Sequence, residues 1–272
     1  MHALINFNKK VHRLIPSKFP PMSLFDWADS AEELEQIAQL EGMTNERIQA
    51  ELGRINLIAK EDWIGGPGST PIMAAFTHIG FTSRFSDGSH GVYYAASTLD
   101  TAIKETAFHR ERFYRASNEP VCSISMREYI AKIKKPLVDI TDNRYDILLN
   151  PDPNFYHKSQ VFGKKMHEEK QWGLLYPSIR NKGSQCVAIF RPPALAIPEQ
   201  GCHLKYIWDG SCISEVYIES KIKKFNGVAH FGAGMVASAT ELSKDFIKKI
   251  NQEKPDEHTL PDGRGSDRPL EL

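Results

Sequence analysis

The residues best able to do chemistry in this chain gather in one stretch, "RFSDGSHGVYYAASTLDTAIKETAFH", residues 84 to 109. It offers an arginine (Arg84), a turn, a tyrosine-bearing segment (Tyr94) and a helix whose second turn carries Glu105. Leu99, Ala102, Ile103 and Thr106 share one face of that helix, and Glu105 lies roughly 60° round from Ala102, at the edge of the stripe. A glutamate there is either a solvated surface group or a carboxylate facing back towards Tyr94 and Arg84. The other residues read two ways as well. Arg84 beside Asp87 could form a hairpin ion pair of small energetic weight, and Tyr94 could be a core aromatic. Arg13, in "VHRLIP", sits on a strand entering a core, where a guanidinium needs an anionic partner. Ser178 after Pro177 could cap a turn or present its hydroxyl to a ligand, and Arg180 is two residues further on.

The elements that must position these side chains follow from periodicity. Residues 5 to 15 read as a strand stopped by Pro16, Pro20 and Pro21. Residues 24 to 58 carry apolar positions at helical spacing, with Ser30 and Glu33 placed as a capping box and a break at Gly42 to Arg47. Residues 22 to 70 therefore read as a helical insertion, leaving through the Gly/Pro-rich stretch at 65 to 69. "FTSRF" and "GVYYAAS" about Asp87-Gly88 read as a hairpin, and Ser97 with Asp100 as the start of a helix running to about Arg112. "PVCSISM", "KPLVDIT", "CVAIF" and "SEVYIES" read as strands, the last of these closing the sheet, and residues 155 to 169 as a helix. Beyond Lys221 the reading is a basic patch, a helix from about Met235 to Asn251 and a disordered polar tail from Lys254. This gives residues 1 to 220 as one domain and 221 to 272 as an appendage.

Composition narrows the function. The 272 residues include 34 basic and 34 acidic side chains, with 41% hydrophobic and 25% charged residues, which describes a globular chain with no net positive field to collect nucleic acid. No run of 18 apolar residues occurs, so no membrane segment is expected, and a cytoplasmic location is. The four cysteines, Cys122, Cys186, Cys202 and Cys212, form no C-x-x-C pair, and neither a zinc site nor a disulfide framework is expected. "GGPGS" lacks the Lys-Ser/Thr of a P-loop, and Ser178 lacks the G-x-S-x-G of a hydrolase elbow.

Taken in order, Arg13, Arg84 in "SRFSDGSHG", "YAASTLDTAIKE" ending in Glu105, and "YPSIR" followed by "GSQCVAIFRP" resemble the RES-domain toxins. The likeness spans residues 8 to 20 and 72 to 200. It implies an α/β (α+β) fold with a mixed β-sheet core like that of the bacterial ADP-ribosyltransferase toxins, and cleavage of NAD as substrate with no further cofactor and no metal. It also implies a cognate antitoxin carrying its own DNA-binding domain; a homodimer stays open. The residues carried over are Arg13, Arg84, Tyr94, Glu105 and Ser178. Their types suit the chemistry: a fixed carboxylate, Glu105, stabilises the sugar cation formed when nicotinamide leaves. Arg13 and Arg84 suit the two phosphates, and Tyr94 offers a ring for nicotinamide. Ser178 offers a hydroxyl to ribose or amide, and Arg180 is a further candidate for a phosphate. The acceptor, whether water, phosphate or a protein side chain, is left open, as is a non-catalytic module that binds a nucleotide or partner on the same fold.

Overall fold

A computed structural model describes residues 2–17 and 55–219, together with the backbone of 228–231 and 235–238. In the unit spanning Met1–Ser220 the strands are β1 (Leu4–Ile5), β2 (Lys10–Pro16), β3 (Tyr93–Ala96), β4 (Cys122–Lys132), β5 (Leu137–Asp139), β6 (Gly173–Pro177), β7 (Gln185–Ile189), β8 (Glu199–Trp208) and β9 (Ile213–Glu219). The helices are α1 (Thr70–Thr77), α2 (Leu99–Ser117) and α3 (His157–Glu168). The strands form one nine-stranded sheet in the order β1-β5-β6-β7-β3-β2-β4-β8-β9. All neighbours are antiparallel except β5 and β6, which run parallel. The fold is thus α/β with a mixed sheet.

Side chains alternate across the pleat, so successive residues of the central strands enter different cores. Leu174, Ala188 and Ala96 join one cluster with Ala102 of α2, while Leu175, Val187, Ile189 and Tyr93 join a second with Ile72 and Phe76 of α1. α3 packs closely on the segment that carries Arg84: a Cβ at Gly163 would lie 2.1 Å from the carbonyl oxygen of Phe85. Only glycine permits that approach.

Several expectations change. Residues 81–85 form no strand; an isolated bridge joins Ser83 to Ser86. The Phe85 N–H is instead spent on the Tyr94 hydroxyl, 3.0 Å away, which leaves the hairpin ladder without its donor. The cap of α2 is Thr98 and not Ser97: its side chain accepts the N–H of Thr101, and the helix continues to Ser117, ending at Asn118 with φ +50°. β8 gives no clear strand signal in the sequence, since Gln200, His203 and Lys205 dilute it, although Leu204, Tyr206 and Trp208 are fully buried at period two. Residues 55–70, assigned to the insertion, are tied into the body: Ile55 is buried, and Asp62 receives Arg191 at 2.7 Å from both Nε and Nη2. The helices expected between 24 and 54 lie outside the described residues. In the second unit Met235–Ser238 is a strand paired antiparallel with Val228–Phe231, where a helix was expected. The rest of that expected helix and the tail lie outside the described residues.

Candidate active site

Glu105 is positioned by α2, which the Thr98 cap starts and which Thr101 and Ala102, both buried, seat on the sheet. Ser178 follows β6 and is held in the turn to β7 by its N–H donating to the carbonyl of Ser184 at 2.8 Å. The two meet: Ser178 Oγ donates to Glu105 Oε1 at 2.7 Å. The Cys186 thiol of β7 lies 3.9 Å from the same oxygen. Burial first, and then the Glu105 carboxylate, push the Cys186 thiol far above its ordinary range, so it is a neutral neighbour and no nucleophile. Burial likewise raises the Tyr176 phenol, with Cys186, Glu105 and Tyr94 adding to the effect.

Arg84 is 8% exposed. Its Nη1 donates to the carbonyl of Asn150 at 2.9 Å and its Nη2 to the Tyr156 hydroxyl at 2.8 Å. Asp87, the hairpin partner weighed for it, is taken by Ser89 and Lys164 instead. Arg84 is within electrostatic reach of Tyr94, Tyr176 and Cys186. The Tyr94 hydroxyl is engaged by Ser83 Oγ at 2.8 Å and the Phe85 N–H, and burial raises this phenol to about 12. Tyr94 therefore fixes the Arg84 segment, and its half-buried ring packs against the α2-side core.

Arg13 lies elsewhere. It shares its strand face with Val11 and stacks its guanidinium 4.5 Å from the Tyr93 ring, on the side of the sheet opposite Ala102. The ladder between β2 and β3 holds a single pair, His12 with Ala96. Beyond it Arg13 Nη1 donates to the carbonyl of Tyr94 at 3.1 Å. The anionic partner expected for this arginine is replaced, among the described residues, by a carbonyl and a ring. Its Nε is buried without a hydrogen bond, and desolvation lowers its pKa.

Arg180 stacks 3.4 Å from the Phe108 ring and donates to the carbonyl of Pro151. His109, on the turn after Glu105, feels Glu105, Arg180 and Arg84 together. The structure thus brings Glu105 and Ser178 into contact, places Arg84, Tyr94 and Arg180 within electrostatic reach of their neighbours Tyr176, Cys186 and His109, and among the described residues connects Arg13 to them through the Tyr94 backbone. Tyr156, Cys186, Asn181 and Phe108 were missed. Phe108 was within reach of sequence reasoning, being three residues from Glu105 on a helix; Tyr156 sits after a proline-rich loop that gives no signal. Among the described residues no group of three or more His, Cys, Asp or Glu side chains is arranged to hold a metal, and no helix is long and apolar enough to cross a membrane.

Comparison with known proteins gives three findings. The family model described as "RES domain" matches residues 53–209, a range that includes Arg84, Tyr94, Glu105, Ser178 and Arg180 and begins after Arg13. An uncharacterized protein, y4oC, of Sinorhizobium fredii is 27% identical over 207 residues, covering 76% of this chain and 86% of the relative. The solved MbcT-MbcA toxin-antitoxin complex of M. tuberculosis contains a chain with a TM-score of 0.38 and 9% identity, covering 73% of this chain and 85% of that one.

Proposed function

The chain belongs to the RES-domain family, and from that premise we propose that it is the toxin of a toxin–antitoxin pair and cleaves NAD at the nicotinamide–ribose bond. The observation that carries the reading is the Ser178–Glu105 hydrogen bond at 2.7 Å: it fixes a carboxylate on a helix, while Arg84, which with Glu105 acts on Tyr176 and Cys186, has a carbonyl and a phenol as its hydrogen-bond partners among the described residues. When the bond to nicotinamide breaks, the electron pair leaves with the ring and positive charge builds on the ribose. Glu105 stabilises that charge, and Ser178 holds the carboxylate in one orientation. Arg84, braced by Asn150 and Tyr156, binds the pyrophosphate. Tyr94 holds the Arg84 segment in place and lends a ring edge to the nicotinamide side. Arg13 braces β3 from the opposite face, and NAD reaches it only if the gap between β2 and β3 opens.

Arg180 suits an incoming anion, since release from Pro151 frees a fork of donors on a residue that, like Glu105, acts on His109. With phosphate as acceptor the reaction is a phosphorolysis, with water a hydrolysis, and with a protein side chain an ADP-ribosyl transfer. A cytoplasmic protein partner that carries a DNA-binding domain and covers the site would hold the activity in check. Incubating the full chain with NAD, with and without inorganic phosphate, and identifying the products tests the proposal. Release of nicotinamide with ADP-ribose or its phosphate ester is expected. Intact NAD beside folded protein that still binds it would make the chain a nucleotide-binding module.

A further inference from the structure

We propose that Asn181, which follows Ser178 by one turn of the β6–β7 connection, is the positioning residue that sets the Ser178–Glu105 pair. The inference rests on the reading of Glu105 as the group facing the ribose. The Asn181 backbone N–H can only donate, and it does so to Ser178 Oγ at 3.0 Å. The single hydroxyl proton of Ser178 is then directed away from that contact and onto Glu105 Oε1, 2.7 Å away. With Asn181 in place, Ser178 is a donor to the carboxylate.

The side chain of Asn181 ties the loop to α2. The two hydrogens on its Nδ2 serve Thr101 Oγ1 at 2.8 Å and Asp100 Oδ2 at 3.1 Å, with Ser184 Oγ at 3.2 Å sharing one of them, while its Oδ1 accepts Lys104 Nζ at 3.0 Å. Asp100, Thr101 and Lys104 belong to the same stretch of α2 as Glu105, and Lys104 is itself paired with Asp100 at 2.8 Å. The connection therefore grips the helix at two points, Ser178 on Glu105 and Asn181 on the preceding turn. One point would leave the loop free to pivot; two fix its angle. Thr101 has no exposed surface, so the anchor is rigid, and the backbone bond from Ser184 N to Asn181 O at 3.1 Å closes the loop on itself.

Asn181→Asp keeps the shape and the Lys104 contact but replaces both Nδ2 donors by an acceptor facing Asp100. Asn181→Ala removes every side-chain contact and serves if the aspartate variant folds poorly. For both, amide hydrogen exchange at Asn181 reports the brace without any NAD chemistry, and steady-state NAD cleavage reports its use. The expected result is exchange at this amide at least tenfold faster, kcat at least tenfold lower and KM for NAD unchanged, with the melting midpoint of the rest of the chain retained. Unchanged exchange in both variants would overturn the proposal, because the loop would then be fixed without Asn181. Faster exchange with kcat intact would overturn it too, since the alignment would not matter to the reaction. A wild-type protein that leaves NAD intact removes the proposed function, and the exchange comparison still decides the brace.

Discussion

Replacing Glu105 by glutamine keeps the size of the side chain and an oxygen for Ser178, now 2.7 Å from Oε1, and removes the charge. A full carboxylate about 4 Å from a full ribose cation contributes about 4 kcal/mol at the effective dielectric of a half-open site. At about 1.4 kcal/mol per decade, that is a fall of about 10³ in turnover. The figure agrees with the roughly 10²- to 10³-fold cost of removing one preorganised electrostatic group. Folding loses far less: the bond from Ser178 goes from charge-assisted to neutral, a change of about 1 kcal/mol, and Glu105 stands outside the buried core. Single-turnover NAD cleavage, an NAD binding isotherm and a thermal melt on one Glu105→Gln preparation check all three. Binding within about threefold of wild type, from the uniform-binding argument, is expected alongside the lost turnover. Wild-type turnover would make Glu105 a surface residue held by Ser178 for structure alone, and lost binding would make it a ligand contact with no part in stabilising the cation.

Arg84→Lys keeps the charge but cannot bridge the Asn150 carbonyl and the Tyr156 hydroxyl together, so KM for NAD should rise at least about tenfold, from the lost two-point fixation, with kcat less affected; equal KM would remove Arg84 from the pyrophosphate. Acid should weaken the fold through the stacked His90–His167 pair, whose centroids are 4.4 Å apart. Burial, then His167, depress His90 to about 4, with Asp87 opposing and Lys164 assisting; His167 is also lowered by burial, with Glu168 and Asp62 opposing and Arg191 assisting. A folded pKa below the unfolded value means the unfolded chain binds more protons, so stability present above about pH 6.5 is lost as pH falls towards 4, by roughly 3 kcal/mol for His90. Denaturant melts from pH 7 to 4.5 should show this slope and His90→Phe should flatten it; a slope unchanged by the substitution would place the acid sensitivity elsewhere. Deleting 22–54 should leave a cooperative melt, whereas deleting 22–70 also removes Ile55 and the Asp62 partner of Arg191 and should cost several kcal/mol on the order of a broken buried pair. Equal midpoints for the two deletions would make 55–70 dispensable.

What could be read in the sequence was local. The helix of Glu105 showed itself by period, and the strands at 185–189 and 213–219 by apolar or alternating runs. The encounter of Glu105 with Ser178, separated by 73 positions, was reachable only through family likeness, since no periodicity states that β6 and β7 turn towards α2. Turn chemistry at Asp87-Gly88 was real in kind but misleading in consequence, because the bond from the Phe85 N–H to the Tyr94 hydroxyl outcompeted the ladder. Arg13 illustrates the limit of a rule about buried charge. A guanidinium has five donors and a planar face, and a strand gap that leaves a carbonyl unpaired beside a tyrosine ring can satisfy it without any anion.

The same distinction between charged and neutral partners separates Glu105 and Arg84 from the surface ion pairs of this chain. Lys104 is spent on Asp100 and Arg115 on Glu111, each charge cancelled by its neighbour. Arg84 is instead oriented by a carbonyl and a phenol, and Glu105 by a hydroxyl and, at longer range, a thiol. Neutral partners fix direction without cancelling charge, so among the described residues neither group is hydrogen-bonded to an opposite charge. Among the described residues the contacts of Glu105 fall on Oε1 alone, leaving Oε2 for a ligand. NAD carries its anionic pyrophosphate and its cationic nicotinamide ring at opposite ends of one ribose, a polarity that the proposed function matches with Arg84 on the pyrophosphate and Glu105 on the ribose. A shared partner would destroy the match: Tyr156→Glu, which places a carboxylate within reach of Arg84, should abolish NAD affinity while leaving the Ser178–Glu105 bond in place. Retained affinity in that variant would mean that the charge of Arg84 is not what the substrate feels.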